Sequence, residues 1–265
     1  MRQFIPHDWF VCPVTKQPLR LAGNVLRSQQ GYEYHKDSKF GFWDFTPAGL
    51  ETPDDDTWRT WQHLQRNGVA SYENDTAHNL GVGKRKDYLE FAEFCNFHGT
   101  ILDVGVGPQA CPTHIASTED GELQFVGIDP LVGTQPRAFA FVRGLGEYLP
   151  FRDGLFDQVL FVTTLDHFVD PRAALEEAGR TLKPDGEIVV WLGYKEQGAP
   201  APVVSPAWYT DLRVPQGAED IFHFKRLTPG DAEEFYFDSD LQVTEREARP
   251  IDQWRTNFFY RLNKR

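Results

Sequence analysis

The chain has 265 residues, of which 40% are hydrophobic, and a formal net charge of −12. This length fits one large domain, or one domain with a small appendage, and the apolar fraction suffices for a sizeable core. The acidic balance, spread along the chain without a basic stripe, argues against a nucleic-acid backbone as partner.

Cysteine use and hydrophobic patterning indicate the compartment. The three cysteines, Cys12, Cys95 and Cys111, are too few and of the wrong parity for a disulfide framework, which favours a reducing environment. The first residues contain no apolar core of signal-peptide length, and no run of about 18 apolar residues occurs. We therefore expect a cytoplasmic protein without a membrane span.

Residues 1–47 predict a small β-rich module of short strands separated by turns. Its pattern, CP-x-x-K-x-x-L followed by G-Y-x-Y and G-F-x-D-F, resembles the zinc-ribbon module at the front of some methyltransferases. Thr15 stands where the first knuckle needs a second cysteine, and the later knuckle offers only His35. One cysteine, Cys12, and one histidine cannot complete a tetrahedral zinc site. We expect a degenerate ribbon held by aromatic packing, with no metal.

Residues 48–99 predict a linker and lead-in helices. Residues 48–57 are polar and acidic, which is typical of a linker that ends in a helix N-cap. Trp58, Trp61 and Leu64 then recur at helical spacing, and we interpret this stripe as packing. A second helical apolar face covers residues 88–95.

Residues 100–265 alternate between strand and helix patterns, which predicts an α/β domain with a parallel sheet and right-handed crossovers. A proline-rich stretch at 197–230 predicts a lid-like insert. Ligands of such sheets bind at the carboxyl ends of the strands. Strands are predicted at 100–104, 124–129, 138–142, 158–163, 187–192, 241–245 and 257–263, and helices at 111–117 and 172–182.

Several motifs follow one another in this region. Asp103-x-Gly105-x-Gly107 follows the first strand, and Asp129 ends the second. Gly146-Glu147-Tyr148, Leu165-Asp166-His167 and Leu182-Lys183-Pro184 come later, in that order. Together they resemble the class I S-adenosylmethionine-dependent methyltransferases of the type 11 group. The resemblance implies a Rossmann-like, mostly parallel seven-stranded sheet flanked by helices, and S-adenosylmethionine as cofactor.

The resemblance also implies roles for the residues at the strand ends. Gly105 and Gly107 would leave bare backbone for the amino-acid end of the cofactor, which Asp103 would position. Asp129 would accept the ribose hydroxyls, because a carboxylate suits a pair of donors. The remaining positions would flank the cofactor: Pro130 beside the ribose, Glu147 and Tyr148 at the adenine, and Thr163 where the backbone passes the cofactor.

Two residues depart from the family pattern. Gln109 stands where the family often has glycine, and it either contacts the cofactor or only caps its own turn. Leu145 replaces the usual acidic residue before Glu147, so adenine recognition would use backbone groups or Glu147. A dinucleotide oxidoreductase is the structural alternative, but its third glycine is missing after Gly105-x-Gly107.

Catalytic candidates lie beyond the fourth predicted strand. An alcohol acceptor needs a general base, and His167 is the best candidate, because histidine titrates near neutral pH. Asp166 would orient it or face the substrate. The alternative is that His167 only caps the next helix or packs beside the cofactor. In the insert, His223, Trp208 and Arg213 are candidates for binding the acceptor.

Three functions remain open from the sequence. The first is O-methylation of a sugar or another small molecule in polysaccharide or natural-product biosynthesis. The second is methylation of ribosomal-RNA guanine, against which the missing metal ligands and the acidic charge count. The third is a non-catalytic protein that binds S-adenosylmethionine. The sequence does not give the acceptor, the methylated atom or the oligomeric state.

Overall fold

A computed structural model describes residues 4–48, 55–74, 85–118, 123–199 and 212–265. Their strands form one eleven-stranded sheet in the order β1-β2-β3-β4-β7-β6-β5-β8-β9-β11-β10. The strands are β1 (Arg20–Ala22), β2 (Val25–Arg27), β3 (Glu33–Lys36), β4 (Trp43–Asp44), β5 (Thr100–Val104), β6 (Gln124–Asp129), β7 (Ala140–Arg143), β8 (Phe156–Val162), β9 (Leu182–Lys195), β10 (Leu241–Pro250) and β11 (Arg255–Lys264).

The last seven strands of the chain confirm the predicted Rossmann-like sheet. Strands β7, β6, β5, β8 and β9 are parallel, whereas β11 runs antiparallel to both β9 and β10. Strand β5 lies centrally, with β6 on one side and β8 on the other. The chain therefore changes direction across the sheet beside β5, which is where such sheets place their ligands.

Helices cover the sheet, and their ends follow local sequence signals. Asp170 caps α4 by accepting a hydrogen bond from the backbone of Ala173, and Thr228 and Asp231 form a capping box at α5. Two clusters of buried apolar side chains make the core. The helices are α1 (Asp56–Asn74), α2 (Lys86–Cys95), α3 (Thr113–Ala116), α4 (Pro171–Thr181) and α5 (Pro229–Asp238).

Strand β9 and helix α3 show how the element boundaries differ from the prediction. Strand β9 begins at Leu182 and includes Pro184-Asp185-Gly186, whereas the strand was predicted to begin only at residue 187. A register shift between Phe156 and Gln158 of β8 accommodates this irregular start. Helix α3 has only four residues, and Pro112 is its N-cap with extended backbone, so the helix predicted at 111–117 is too long.

The N-terminal strands extend the central sheet. Strand β4 pairs in parallel with β7, so that Trp43 lies opposite Val142. Phe45 is fully buried and packs against Phe10 and Tyr34, in the same core that contains the central strands. The module proposed for residues 1–47 is therefore hydrogen-bonded to the rest of the molecule, and its boundary as a separate domain stays a prediction.

Cys12 and His35, the possible metal ligands of the ribbon-like pattern, do not meet, because Cys12 contacts Tyr34 and the next residue of β3, His35, faces the other way. The Sγ atom of buried Cys12 lies 3.2 Å from the Tyr34 hydroxyl. His35 follows Tyr34 in the same strand, so its side chain points to the opposite face and is exposed. The turn after Cys12 is closed by a backbone hydrogen bond from Lys16 to Cys12. The ribbon ancestry of this turn stays a hypothesis.

None of the helices in the described ranges combines the length and hydrophobicity that crossing a bilayer requires.

The shared core predicts that the N-terminal strands unfold together with the rest of the chain. Replacing fully buried Phe45 by alanine should lower the unfolding free energy by about 3–5 kcal/mol, because it leaves a cavity. Denaturant unfolding followed by circular dichroism measures this change and should show one transition. Phe4→Ala, at a side chain that is 64% exposed, is the matched control. A separate early transition in Phe45→Ala would contradict the shared core.

Candidate active site

A cavity of about 980 Å³, counting its open mouth, lies at the carboxyl ends of β5, β6 and β8. Helix α1 forms its far wall. Most of the predicted site residues lie on its wall: Asp103, Gly105, Gly107, Gln109, Asp129, Pro130, Glu147, Thr163 and His167.

The glycine turn after β5 brings bare backbone to the cavity. Gly105 has φ +80°, and a Cβ there would lie 2.7 Å from the Thr164 side chain. Gly107 has φ +76°, and its Cβ would lie 3.1 Å from the Tyr72 hydroxyl and 3.4 Å from Oε1 of Gln109. Larger residues would be strained at both positions and would fill the space in front of the turn.

Asp129 holds this turn at the end of β6. Its Oδ2 accepts a hydrogen bond from the Gly107 amide at 2.7 Å, and its Oδ1 accepts one from the Leu131 amide at 2.6 Å. Burial raises the pKa of Asp129 to about 6, despite these two donors. Each carboxylate oxygen can accept a further bond, so the residue retains capacity for a pair of hydroxyl donors.

Arg137 fastens the same turn from the other side, and the sequence reasoning missed it. Its guanidinium donates to the carbonyls of Gly107, Gln109 and Leu131. It also lies 3.7 Å from the centre of the Phe141 ring. Burial lowers its pKa to about 10, so it remains charged at neutral pH. The segment 131–137 is a loop, and this side chain holds it through the Leu131 carbonyl.

Asp103 is fully buried at the end of β5 and pairs with a histidine that the sequence reasoning also missed. Its Oδ2 lies 2.7 Å from Nε2 of His114 in α3. The His114 ring stacks on Tyr88 of α2. The other oxygen of Asp103, Oδ1, is buried without a hydrogen-bond partner among the described residues. A buried carboxylate oxygen beside a cavity can accept a hydrogen bond from a ligand or from a water molecule.

Glu147 and Thr163 line the cavity, whereas Tyr148 is not on its wall. The Oε1 atom of Glu147 accepts a hydrogen bond from the Val169 amide at 2.9 Å. Burial raises the pKa of Glu147 to about 7. Thr163 has φ +55° and donates its amide to the Trp191 carbonyl. The roles of Glu147 and Tyr148 at the adenine, and of Thr163 where the backbone passes the cofactor, remain predictions.

The candidate catalytic residues lie at the other side of the cavity. Asp166 and His167 belong to the short 3-10 helix Leu165–His167, which follows β8. The ring of His223, from the insert, packs on the ring of His167 with centroids 4.4 Å apart. About 37% of the His167 side chain is accessible through the cavity, and protein encloses the rest. This burial lowers the pKa of His167 to about 4, so the imidazole is neutral at pH 7.

The other acceptor-binding candidates are less central. The Arg213 side chain is exposed, and its backbone carbonyl accepts a hydrogen bond from Asn67 of α1. Trp208 lies outside the described residues.

Helix α1 contributes a face to the cavity that the sequence reasoning assigned to packing alone. Trp61 and Leu64 of the predicted stripe are buried, as expected, but they also line the cavity. Residues at the same helical spacing continue this face along the rest of the helix. The α1 residues on the cavity wall are Trp61, Leu64, Gln65, Gly68 and Tyr72.

The buried Glu147 carboxyl predicts a pH-dependent stability. Because its folded pKa is above its unfolded value, the folded state loses stability as pH rises from about 4.5 through about 7. Glu147→Gln removes that loss, so it should be more stable than wild type at pH 8 by on the order of 2–3 kcal/mol. The difference should vanish near pH 4.

Urea unfolding at pH 4, 6 and 8 measures this effect. Glu176→Gln, at an exposed glutamate of α4, controls for the change of net charge and should show no such trend. A constant difference between Glu147→Gln and wild type across the pH range would contradict the raised pKa.

Comparison with known proteins connects this geometry to a family. Residues 102–190 match the family described as "Methyltransferase domain". An uncharacterized methyltransferase of Mycolicibacterium gilvum is 38% identical over 107 residues, covering 36% of this chain and 40% of its own. An uncharacterized protein of Methanocaldococcus jannaschii is 33% identical over 92 residues, covering 35% and 42%. The chain thus spans about 40% of the length of these curated relatives.

Solved structures share the fold. The 1,6-didemethyltoxoflavin-N1-methyltransferase of Burkholderia thailandensis, with bound 1,6-didemethyltoxoflavin and S-adenosylhomocysteine, aligns with a TM-score of 0.57 at 13% identity. The alignment covers 92% of this chain and 98% of that one. A possible histamine N-methyltransferase of Thermotoga maritima aligns with a TM-score of 0.50 at 18% identity, covering 78% and 100%.

The sequence match begins inside β5 and ends inside β9, so it contains the glycine turn, Asp103, Asp129 and Glu147. The fold of the matched strands and the cavity at their carboxyl ends agree with it. Residues 102–190 are therefore similar to a methyltransferase domain in sequence, and the sheet that contains them has the fold of solved S-adenosylmethionine-dependent methyltransferases.

Proposed function

We propose that the protein transfers a methyl group from S-adenosylmethionine to a small-molecule acceptor, at an oxygen atom. The observation that carries the proposal is the pair of carboxylates across the glycine turn. Asp103 presents a buried, unpartnered Oδ1, and Asp129 presents a carboxylate that the turn itself positions. This arrangement matches a ligand with a cationic group at one end and hydroxyls at the other.

The cavity residues fit the cofactor in charge as well as in shape. The amino group of a bound methionyl end would satisfy Asp103 Oδ1, and the ribose hydroxyls would bind Asp129 in the space beside Gly107. When bound, S-adenosylmethionine supplies a methyl group whose transfer leaves the electron pair of the broken carbon–sulfur bond on sulfur. The enclosing residues contribute positioning and exclusion of water.

The cover of the cavity supports a small acceptor. Asn67 of α1 donates hydrogen bonds to the carbonyls of Ile221 and Arg213, and Thr60 donates to the carbonyl of Gln216. These bonds join α1 to the insert, and Phe222 of the insert lines the cavity. A covered cavity with apolar residues on its roof favours a compact acceptor over a folded RNA.

A hydroxyl acceptor needs a base that removes its proton as the bond to carbon forms, whereas a neutral amine can attack with its lone pair and lose a proton afterwards. Asp166, His167 and His223 form a polar cluster beside the cavity, and His167 lies on the cavity wall. A sugar or another hydroxylated metabolite therefore fits this site. Of the alternatives, ribosomal-RNA methylation would require cationic surface that a chain of net charge −12 supplies poorly.

Asp129→Asn tests the cofactor site. The variant should bind S-adenosylmethionine more weakly by about 1–3 kcal/mol in calorimetry, because it loses a charged acceptor for the ribose hydroxyls. In wild type the affinity should fall as pH drops through about 6, since the carboxyl of Asp129 becomes protonated. The variant should lack that dependence.

Asp185→Asn, at an exposed position of β9, is the matched control and should bind as wild type. Unchanged affinity in Asp129→Asn would remove the ribose role.

A transfer assay tests the acceptor class. Radiolabelled methyl groups should appear on members of a panel of hydroxylated small molecules and not on ribosomal RNA. Label on RNA alone would overturn the small-molecule proposal. Cofactor binding without transfer to any member of either panel would favour the non-catalytic alternative.

A further inference from the structure

Three side chains beside the cavity, of which His167 lies on the cavity wall, form a compact donor set. Asp166, His167 and His223 each offer one ligand atom, and these atoms lie within 4.8 Å of one another. Nε2 of His223 is 3.6 Å from Oδ2 of Asp166, and Nε2 of His167 is 4.0 Å from Oδ1. Donors around an ion at about 2.1 Å are roughly 3–3.5 Å apart, so the widest separation in this set has to shorten by roughly 1–1.5 Å when an ion binds.

Both histidines are oriented by a second partner. Nδ1 of His223 lies 2.9 Å from Oδ1 of Asp220, whose other oxygen accepts from Arg226 at 2.7 Å. His167 is hydrogen-bonded to the backbone of Phe222. A ring nitrogen held by a carboxylate or a carbonyl, with the other nitrogen turned to a shared centre, is the arrangement found around metal-binding histidines.

The charge of the Asp166 carboxylate also favours a bound cation. The Asp166 side chain is only 10% exposed, and its ion-pair partners among the described residues are the two histidines. By contrast, the nearby charge of Asp220 is compensated by Arg226. A cation bound between Asp166 and the two imidazoles would compensate the remaining carboxylate.

We propose that Asp166, His167 and His223 bind a divalent first-row transition metal ion, with Asp220 as the residue that positions His223. Two imidazoles and one carboxylate favour zinc or iron over magnesium or calcium, which prefer oxygen ligands. The three ligands leave coordination positions free on the cavity side, where His167 lines the wall. This gives His167 the role of a ligand in place of the general base predicted from sequence.

The ion would bind the acceptor through a hydroxyl oxygen and lower the pKa of that hydroxyl. The role of the ion in binding the acceptor rests on the proposed function, whereas the metal site itself does not. It narrows the acceptor class to molecules that present an ionisable oxygen.

Cobalt(II) is the probe for the test, because its visible spectrum reports its ligands. The chelator-treated full chain should bind one Co²⁺ per chain, with absorption bands of nitrogen and oxygen ligation. Asp166→Asn and His223→Gln should each weaken Co²⁺ binding more than tenfold. Asp220→Asn, which leaves all three ligands in place, should weaken it by about 10- to 100-fold.

His35→Gln is the matched control, since His35 and Glu33 form another histidine–carboxylate pair, at 3.9 Å, on an exposed surface. It should leave Co²⁺ binding unchanged. Circular dichroism and the S-adenosylmethionine affinity of each variant show whether it is folded. Two ligand variants are measured so that the test still holds if one of them does not fold.

No saturable Co²⁺ binding by wild type, or binding equally strong in folded Asp166→Asn and His223→Gln, would overturn the metal site. Either result, with S-adenosylmethionine still bound, would leave the proposed function standing. Saturable Co²⁺ binding that the ligand variants abolish, in a chain that does not bind S-adenosylmethionine, would support the metal site and overturn the proposed function instead.

Discussion

The hydrogen bond from the Gly107 amide to Asp129 is the contact on which the site depends. It joins the carboxyl ends of β5 and β6 across a buried carboxylate. Gly107 can turn toward Asp129 because its φ of +76° carries no side-chain penalty. Arg137 then fixes the outer side of the turn through backbone carbonyls. One buried charge thus shapes the backbone and stays available to a ligand.

The second feature of the site is its cover. Helix α1 precedes the central strands in sequence, and the insert follows them, yet the two are joined by hydrogen bonds from Asn67 and Thr60. The cover brings His223 onto His167, beside Asp166. The chemistry at the acceptor side therefore depends on a segment outside the parallel sheet. Among proteins that share the sheet, such a segment is where acceptor specificity can vary.

Much of the fold was predictable, because the central strands are continuous apolar runs that end in polar or glycine residues. The positions of Asp103, Gly107 and Asp129 at strand ends followed from the same pattern. The pairing of β4 with β7 was not predictable, since Trp43 and Val142 are far apart in sequence and neither carries a pairing signal. The start of β9 at Leu182 was missed because Pro184 and Gly186 normally break strands.

The missed site residues have a common physical cause. His114 lies in a four-residue helix, and Arg137 in an irregular loop, so neither has a periodic pattern to identify its partner. Only the folded chain shows that His114 meets Asp103 and that Arg137 meets the Gly107 carbonyl. The cavity face of α1 did carry a signal, because apolar residues and Gly68 repeat at helical spacing, but packing and ligand binding produce the same repeat.

A crystal structure of the chain with S-adenosylhomocysteine tests the central claim most directly. The account predicts the ribose hydroxyls on Asp129, the amino-acid end against the Gly105–Gly107 turn, and its amino group on Asp103 Oδ1. The sulfur atom should then face the side of the cavity where His167 lies. A ligand bound elsewhere, or bound in this cavity without contacting either carboxylate, would contradict the account.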